Sequence, residues 1–212
     1  MDTLTEISNA LVAGRLPKIK PLVTQALDEN IKAETILSDG LLAGMAIVGE
    51  KFKVNQMYVP EVMLAAKCMQ TGCDLLKPFL IGGEGSETAN SPVVVIGTVK
   101  GDRHDIGKNL CKLMLEGRGM RVIDLGVNVP AEKFVAEAQK NGAKIICCSA
   151  LLTTTMPEMK KVVIAVHEAG IDAKVMVGGA PVTQEFADSI GADAYTSDAA
   201  SCAERAYQLA TA

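Results

Sequence analysis

The sequence contains no tryptophan, and its three tyrosines and four phenylalanines bring the aromatic residues to only 3% of 212 positions. Proteins that bind single-stranded nucleic acid stack bases on aromatic side chains, and so few aromatic residues do not build such a platform. The net charge is −4, and lysine and arginine form no stripe along the chain. The composition therefore predicts no nucleic-acid partner.

Long apolar runs are also missing, because charged residues interrupt every apolar segment before it could span a bilayer. The opening residues, MDTLTEISNALVAGRLP, lack the basic region and the apolar stretch of a signal peptide. We therefore expect a cytoplasmic protein without a membrane segment. The apolar fraction of 49% predicts a folded globule, with room for one large or two small domains.

The six cysteines form no C-x-x-C pair and show no zinc-finger spacing. Cys111, Cys147 and Cys148 lie inside apolar segments, where cysteine behaves as a small hydrophobic residue. We expect reduced structural thiols, with metal binding as the alternative.

Residues 1–80 have the apolar spacing of amphipathic helices. A first helix ends at Gly14, Pro17 opens a second, and Pro60 fits the first turn of the last. These residues predict a bundle of about four helices. Residues 81–91 lose this periodicity and are rich in Gly, Ser, Thr and Asn, which indicates a linker.

Residues 92–212 contain five short apolar strands, each followed by a helix. Continuous apolar strands that alternate with helices predict a parallel sheet covered on both faces, in a flavodoxin-like, doubly wound domain. The helices between the first and last strands are predicted at about 105–117, 130–140, 156–169 and 183–190.

The unusual polar segments all follow strands: GDRHDIG follows the first, SALLTTT the third, GGAPV the fourth and YTSDAA the fifth. The carboxyl ends of parallel strands share one edge of the sheet, where doubly wound domains bind ligands. The sequence therefore predicts a binding site at this edge. GDRHDIGKN is neither a Walker A loop nor G-x-G-x-x-G, which disfavours a nucleotide phosphate. Gly178-Gly179 would let a bulky group approach the backbone, or would simply form a strand-to-helix turn.

His104 is the only imidazole near this edge, and Asp102 lies two residues before it. A carboxylate that accepts one imidazole N–H fixes the tautomer and makes the other nitrogen a better metal ligand. One side chain does not hold a bare zinc or iron ion, but it can complete a metal carried in a macrocycle, as in haem. A structural histidine is the alternative. For His167, late in a helix, we expect a cation near the negative end of the dipole.

The segments Asp102-x-His104-x-x-Gly107, Ser149-x-Leu151 and Gly178-Gly179 resemble, in order, the signature of cobalamin-binding domains. GMAIVGEKFKVNQMYVPEVMLAAKCM is similar to the helical cap that precedes the corrinoid domain of cobalamin-dependent methionine synthase. The chain most resembles the small corrinoid proteins of methanogens and acetogens. The resemblance implies a four-helix bundle cap at 1–80, a linker at 81–91, and a flavodoxin-like (Rossmann-type), five-stranded cobalamin-binding domain at 92–212.

The resemblance also implies roles for individual residues. His104 would be the lower axial ligand of cobalt, Asp102 would hydrogen-bond to it, and Thr155 would complete a proton relay. Ser149 and Thr153 would contact the nucleotide tail of the cofactor, and Tyr58 would shield the upper corrin face. The other implied cofactor contacts are Gly101, Arg103, Asp105, Gly107, Leu151, Gly178, Gly179 and Ala199.

The function that the resemblance implies is that of a corrinoid methyl carrier, inactive without partner methyltransferases. One partner would transfer a methyl group from methanol, a methylamine, a betaine or an aryl ether to Co(I). A second would pass it from methyl-Co(III) to a thiol or tetrahydrofolate acceptor, in one-carbon metabolism such as methanogenesis or acetogenesis. Cobalt oxidised to Co(II) would require a reductive activase.

Three other functions are open at this point. A small subunit of a cobalamin-dependent isomerase shares D-x-H-x-x-G but would use adenosylcobalamin and would lack this helical cap. A cobalamin-dependent sensor or regulator would add a DNA-binding module, and residues 1–77 contain no basic recognition helix. The last alternative is a flavodoxin-like domain without a ligand.

Overall fold

The computed structural model describes residues 2–80 and 91–212. The chain folds into two compact units, Met1–Ser91 with Gly117–Gly119, and Pro92–Glu116 with Met120–Ala212. The predicted linker at 81–91 lies, except for Ser91, outside the described residues, so its role stays a prediction.

The first unit is helical. Asp2 caps its first helix by accepting a hydrogen bond from the Thr5 N–H at 2.7 Å, and Pro17 and Pro60 lie in the first turns of later helices, as predicted. The segments in chain order are α1 (Thr3–Val12), α2 (Leu16–Asp28), α3 (Ala33–Thr35), a π-helical segment (Ile36–Leu42), α4 (Ala43–Lys53) and α5 (Val59–Leu80). The segment from α3 to α4 is continuous, so the described residues 2–80 form four helical runs, as predicted.

The core of the helical unit is built from aliphatic side chains spaced three or four residues apart on each helix. Its fully buried members include Ile7, Leu11, Ile19, Val23, Ile36, Leu41, Val48, Val62 and Leu76. A Cβ atom at Gly72 would lie 2.6 Å from the Leu41 side chain. Glycine therefore lets α5 pack closely against the π-helical segment.

The second unit alternates strands and helices. Its strands are β1 (Val93–Thr98), β2 (Arg121–Asp124), β3 (Ile145–Ser149), β4 (Lys174–Gly178) and β5 (Ala194–Tyr195). Its helices are α6 (Ile106–Gly117), α7 (Ala131–Asn141), α8 (Met156–Glu168), α9 (Gln184–Ile190) and α10 (Ala199–Thr211). Each predicted helix boundary between the first and last strands lies within one residue of the observed one.

All strand pairs are parallel, and the strand order is β2-β1-β3-β4-β5. This is the order of a flavodoxin-like, doubly wound sheet, so the predicted fold is confirmed. Val95 and Ile146 in the central strands are fully buried, in a core that includes Phe134 of α7 and Met159 of α8. From β1 the chain passes to β2 on one side of that strand and then to β3 on its other side. The topological switch point therefore lies between β1 and β3.

All six cysteines are free thiols. Within residues 2–80 and 91–212, no cluster of three His, Cys, Asp or Glu side chains could hold a metal ion. In the same part of the chain, every helix is too short or too polar to cross a membrane.

Candidate functional site

The predicted site lies at the switch point of the sheet. The loop after β1 (residues 99–105) and the loop after β3 (residues 150–155) are neighbours, because Thr98 is paired with Ser149 across the two strands. These loops contain the histidine, the aspartate and the threonines that the sequence analysis identified.

Asp102 joins the two loops. Its side chain is fully buried. Its Oδ2 atom accepts hydrogen bonds from the Leu151 N–H at 2.8 Å, the Leu152 N–H at 3.2 Å and the Thr155 hydroxyl at 2.8 Å. Its Oδ1 atom is bonded to the His104 N–H at 3.1 Å and to His104 Nδ1 at 2.7 Å. One carboxylate thus binds the imidazole on one side and the β3 loop on the other.

The environment of Asp102 keeps it ionised. Burial by itself raises the pKa of this carboxyl, since it disfavours the charged form. The hydrogen bonds from Leu151, His104 and Thr155 outweigh burial and hold the pKa well below its usual range. Asp102 is therefore an acceptor only, and His104 Nδ1 must carry the proton that the two side chains share.

His104 presents its other nitrogen outward. The side chain is 51% exposed, and no described residue hydrogen-bonds to Nε2. The backbone is fixed as well, because the His104 carbonyl accepts a hydrogen bond from the buried Thr98 hydroxyl at 2.9 Å. With the proton on Nδ1, Nε2 keeps a free lone pair, which is what an axial metal ligand needs. The donor set therefore fits a metal that arrives in a macrocycle and needs one protein ligand.

Thr155 occupies the predicted third place beside Asp102. Its hydroxyl lies 2.8 Å from Asp102 Oδ2 and 2.8 Å from the Leu152 carbonyl. A hydroxyl has one proton, and the charged carboxylate is the stronger acceptor, so the bond to Asp102 is favoured. Asp102, His104 and Thr155 form one hydrogen-bonded chain.

The glycines of the motif have different roles in the structure. Gly101 has φ +81° in the turn before Asp102, and Gly179 has φ +133°. A Cβ atom at Gly179 would lie 1.8 Å from the Ala150 carbonyl oxygen, so glycine is required there by the neighbouring loop. Gly107 has no atom within 4 Å of its would-be Cβ, which leaves open space two residues after the His104–Asp105 pair. A strand-to-helix turn is therefore enough to explain why residue 179 is a glycine. Gly107, in contrast, leaves room for a ligand.

Of the remaining predicted residues, Leu151 is hydrogen-bonded to this centre, through its N–H to Asp102. Most lie at the strand ends with exposed or half-buried side chains: Arg103, Asp105, Ser149, Leu151 and Thr153. Gly178 ends β4, and Ala199 is buried as the first residue of α10. Tyr58 belongs to the helical unit and is 69% exposed. Its contact with a cofactor stays a prediction.

Three residues that the sequence analysis did not identify support the site. Thr98 holds His104, and Asn128 accepts a hydrogen bond from the Gly101 N–H at 2.7 Å. Lys108, 2% exposed, lies 2.7 and 2.8 Å from the carboxylate oxygens of Asp124 and thereby ties α6 to the end of β2. Lys108 could have been found from the sequence, because it directly follows the D-x-H-x-x-G motif. Nothing in the sequence distinguishes Thr98 or Asn128 in this way.

Comparisons with known proteins identify the family of this chain. The B12 binding domain family matches residues 92–204, and a second family, also described as a B12 binding domain, matches residues 3–77. The chain is 39% identical to a corrinoid protein of Desulfitobacterium hafniense over 211 residues, which is 99% of this chain and 98% of that protein.

Two further relatives come from methanogens. Dimethylamine corrinoid protein 1 of Methanosarcina acetivorans is 39% identical, covering 98% of this chain and 97% of the relative. A crystal structure of the methanol:cobalamin methyltransferase complex MtaBC from Methanosarcina barkeri superposes with a TM-score of 0.88 at 29% identity, covering 99% of this chain and 80% of the matched chain. Their sequences and folds, together with the family matches, show that this chain belongs to the B12-binding corrinoid proteins, whose cofactor is a cobalamin or a related corrinoid.

Proposed function

We propose that this protein is a methyl carrier in a corrinoid-dependent methyltransferase system. The observation that carries the proposal is the His104 ring at the switch point, with Nδ1 bound by a buried, ionised Asp102 and Nε2 free to ligate. A bound corrinoid supplies a cobalt centre that takes up and gives up a methyl group. The protein's own task is to position that centre and tune it.

In this proposal His104 would hold the metal through Nε2, and Asp102 fixes the ring through Nδ1, 2.7 Å from its Oδ1. The ionised carboxylate would keep the shared proton on Nδ1 and so leave the Nε2 lone pair to the metal. Thr155 supports the carboxylate through its hydrogen bond to Oδ2 at 2.8 Å.

The methyl donor would be held by a partner methyltransferase. The relatives named for dimethylamine and the complex named for methanol favour a methylated amine or methanol as the donor. A second methyltransferase would pass the methyl group to a thiol or tetrahydrofolate, and a reductive activase would restore oxidised cobalt. This protein would be cytoplasmic.

The ligation is tested by substituting each of the two histidines in turn. We expect His104→Ala to bind methylcobalamin but to lose the absorption spectrum of imidazole-ligated cobalt. His167→Ala, at the exposed end of α8, is the matched control and should keep that spectrum. Identical spectra for His104→Ala and the unsubstituted protein would refute His104 as the ligand.

The carrier role is tested separately. The methylcobalamin-loaded and adenosylcobalamin-loaded proteins are each mixed with the methyltransferase that co-purifies with this protein from its own cells, in water with or without an added amine as the methyl acceptor. Transfer of the methyl group from methylcobalamin to the amine, giving a methylated amine, or to water, giving methanol, identifies the donor of the reverse reaction. Reaction of the adenosyl form alone would contradict the carrier role and favour an isomerase subunit.

A further inference from the structure

Asn128 lies in the loop between β2 and α7, outside every motif of the sequence. Its φ is +55°, a left-handed conformation that asparagine adopts more readily than most residues. The next residue, Val129, forms a parallel bridge with Val99 and donates a hydrogen bond to the Thr98 carbonyl at 2.9 Å. Asn128 is thereby held beside the end of β1.

Two groups of Asn128 bind the turn that precedes His104. The side-chain Oδ1 accepts a hydrogen bond from the Gly101 N–H at 2.7 Å, and the backbone N–H donates to the Asp102 carbonyl at 2.9 Å. The turn is closed by the Asp102 N–H and the Val99 carbonyl at 3.1 Å. Positive φ at its third residue, Gly101, is typical of a type II turn, which leaves the N–H of that residue without an acceptor inside the turn. Asn128 supplies the acceptor.

The position of Asp102 depends on this turn. Its carboxylate makes all of its side-chain hydrogen bonds to His104 and to the β3 loop, so the turn decides where the carboxylate lies relative to the ring. Because β1 lies between β2 and β3, the turn is held from both sides, by Asn128 from the β2 loop and by the Leu151–Thr155 segment from the β3 loop.

We propose that Asn128 is a positioning residue for the His104 ligand: by fixing the Gly101–Asp102 backbone, it fixes the carboxylate that holds the imidazole. The inference rests on the proposed function in that it takes His104 to be the cobalt ligand. The contacts with Gly101 and Asp102 exist without the cofactor, so the role can be measured in the cofactor-free protein.

The test uses two variants of Asn128. Asn128→Gly removes the side-chain acceptor but tolerates the positive φ, and Asn128→Asp retains an oxygen acceptor. Nitrogen-15 NMR of the imidazoles in the cofactor-free protein reports the tautomer of His104 and the exchange of its Nδ1–H. The chain has only two histidines, so His167 is an internal reference.

We expect Nδ1–H exchange of His104 to become about fivefold to tenfold faster in Asn128→Gly, the factor that the loss of one net hydrogen bond gives. Asn128→Asp should stay within about twofold of the unsubstituted protein, since one oxygen acceptor remains. Equal exchange in all three proteins, or Asn128→Asp as fast as Asn128→Gly, would overturn the proposal. Asn128→Ala, which also lacks the acceptor, replaces the glycine variant if that variant does not fold.

A second measurement separates this inference from the proposed function. With methylcobalamin bound, Asn128→Gly should show a smaller imidazole-ligated fraction than Asn128→Asp. If the unsubstituted protein shows no imidazole ligand while the NMR difference holds, the proposed function fails and the positioning of the ring stands. If the ligand is present and the NMR difference is absent, the positioning role fails instead.

Discussion

At the scale of single residues, Asp102 has the largest influence on the site. It is a fully buried charge, and such a charge is tolerated only where hydrogen bonds replace its water. Three backbone N–H groups, the Thr155 hydroxyl and the His104 ring provide those bonds. The same bonds that make the buried charge tolerable also orient the imidazole. The Asp102 side chain therefore contributes both to stability and to the orientation of the His104 ring.

Substituting Asp102 by Asn should reveal this coupling through pH. The amide cannot accept as strongly from the Leu151 and Leu152 N–H groups, and we expect a loss of about 2–4 kcal/mol in the free energy of unfolding at pH 7. Because the folded-state pKa of Asp102 is lowered, its contribution is complete above the unfolded pKa of about 3.9 and is lost as pH falls toward the folded value. Urea unfolding at pH 7 and near pH 3 measures this difference.

The control for this prediction is Asp105→Asn. Asp105 is exposed, and we expect its substitution to change the free energy of unfolding by no more than about 0.5 kcal/mol at either pH. The free energy of unfolding of Asp102→Asn could instead differ from that of the unsubstituted protein as much near pH 3 as at pH 7. That result would show that the ionised carboxylate is not what stabilises the loops.

At the scale of secondary-structure elements, α6 is tied to β2 by a buried lysine. Lys108 Nζ binds both oxygens of Asp124 and the side-chain oxygen of Asn109 at 2.7 Å, whereas the more exposed Lys112 lies 3.6 Å from Asp124. Partial burial raises the pKa of Asp124, but hydrogen bonds from Lys108 and from the Gly126 N–H outweigh it and lower the pKa below its usual value. The pair thus joins the helix that follows the His104 loop to the neighbouring strand.

Removing the two partners of this ion pair should have unequal effects. Asp124→Ala strands the buried Lys108 ammonium and should lower the free energy of unfolding by about 3 kcal/mol or more. Lys108→Met removes the buried charge itself and should cost less, while Lys112→Ala should cost at most about 1 kcal/mol. Chemical denaturation of the three variants ranks them. Equal losses for Asp124→Ala and Lys112→Ala would show that the pair with Lys108 does not stabilise the helix.

Gly179, directly after β4, and Gly107, in α6, offer a matched comparison. Gly179→Ala places a Cβ atom 1.8 Å from the Ala150 carbonyl oxygen at φ +133°, so we expect a loss of roughly 3 kcal/mol or more in stability. Gly107→Ala meets open space in α6, and stability should stay equal or rise by up to about 1 kcal/mol.

Cofactor binding separates the two glycine variants further. Gly107→Ala should bind methylcobalamin more weakly despite its unchanged stability, because the added methyl group occupies space beside the His104 loop. Thermal unfolding and spectroscopic titration of both variants test this. Unchanged cofactor affinity in Gly107→Ala would mean that the open space is not part of the site.

At the scale of the whole molecule, the two compact units correspond to two different sequence patterns, helical periodicity before residue 81 and alternating strands and helices after residue 91. The Gly- and Ser-rich composition of 81–91 predicts a linker between them.

Limited proteolysis tests the linker. A protease specific for glutamate should cut first after Glu84 or Glu87 and leave two fragments of about 80–90 and 125 residues, because a linker rich in Gly and Ser is a preferred cleavage site. Mass spectrometry of the early products identifies the cut. First cleavage after Glu50 or Glu116, inside helices, would contradict the predicted boundary.

The local features of this protein were readable from the sequence alone. Helical and strand periodicities are properties of neighbouring residues, so the helices between the first and last strands were predicted within one residue of their observed bounds, and the first helix was predicted to end two residues too late. The contact between Asp102 and His104 is also local, since the two residues lie two positions apart in the chain. The alternation of strands and helices then implied the order of the sheet and the edge that holds the site.

Only the tertiary structure decided which distant groups meet at that edge. Thr155 and the Leu151 N–H reach Asp102 across about fifty residues of chain, Asn128 reaches Gly101 from the other side, and Gly179 is required by the Ala150 carbonyl. Periodicity and turn chemistry act over a few residues, whereas these contacts depend on the distances between neighbouring loops after the strands have paired. The sequence therefore determined the elements and the candidate ligand His104, and the pairing of β1 with β2 and β3 determined what holds the His104 ring in place.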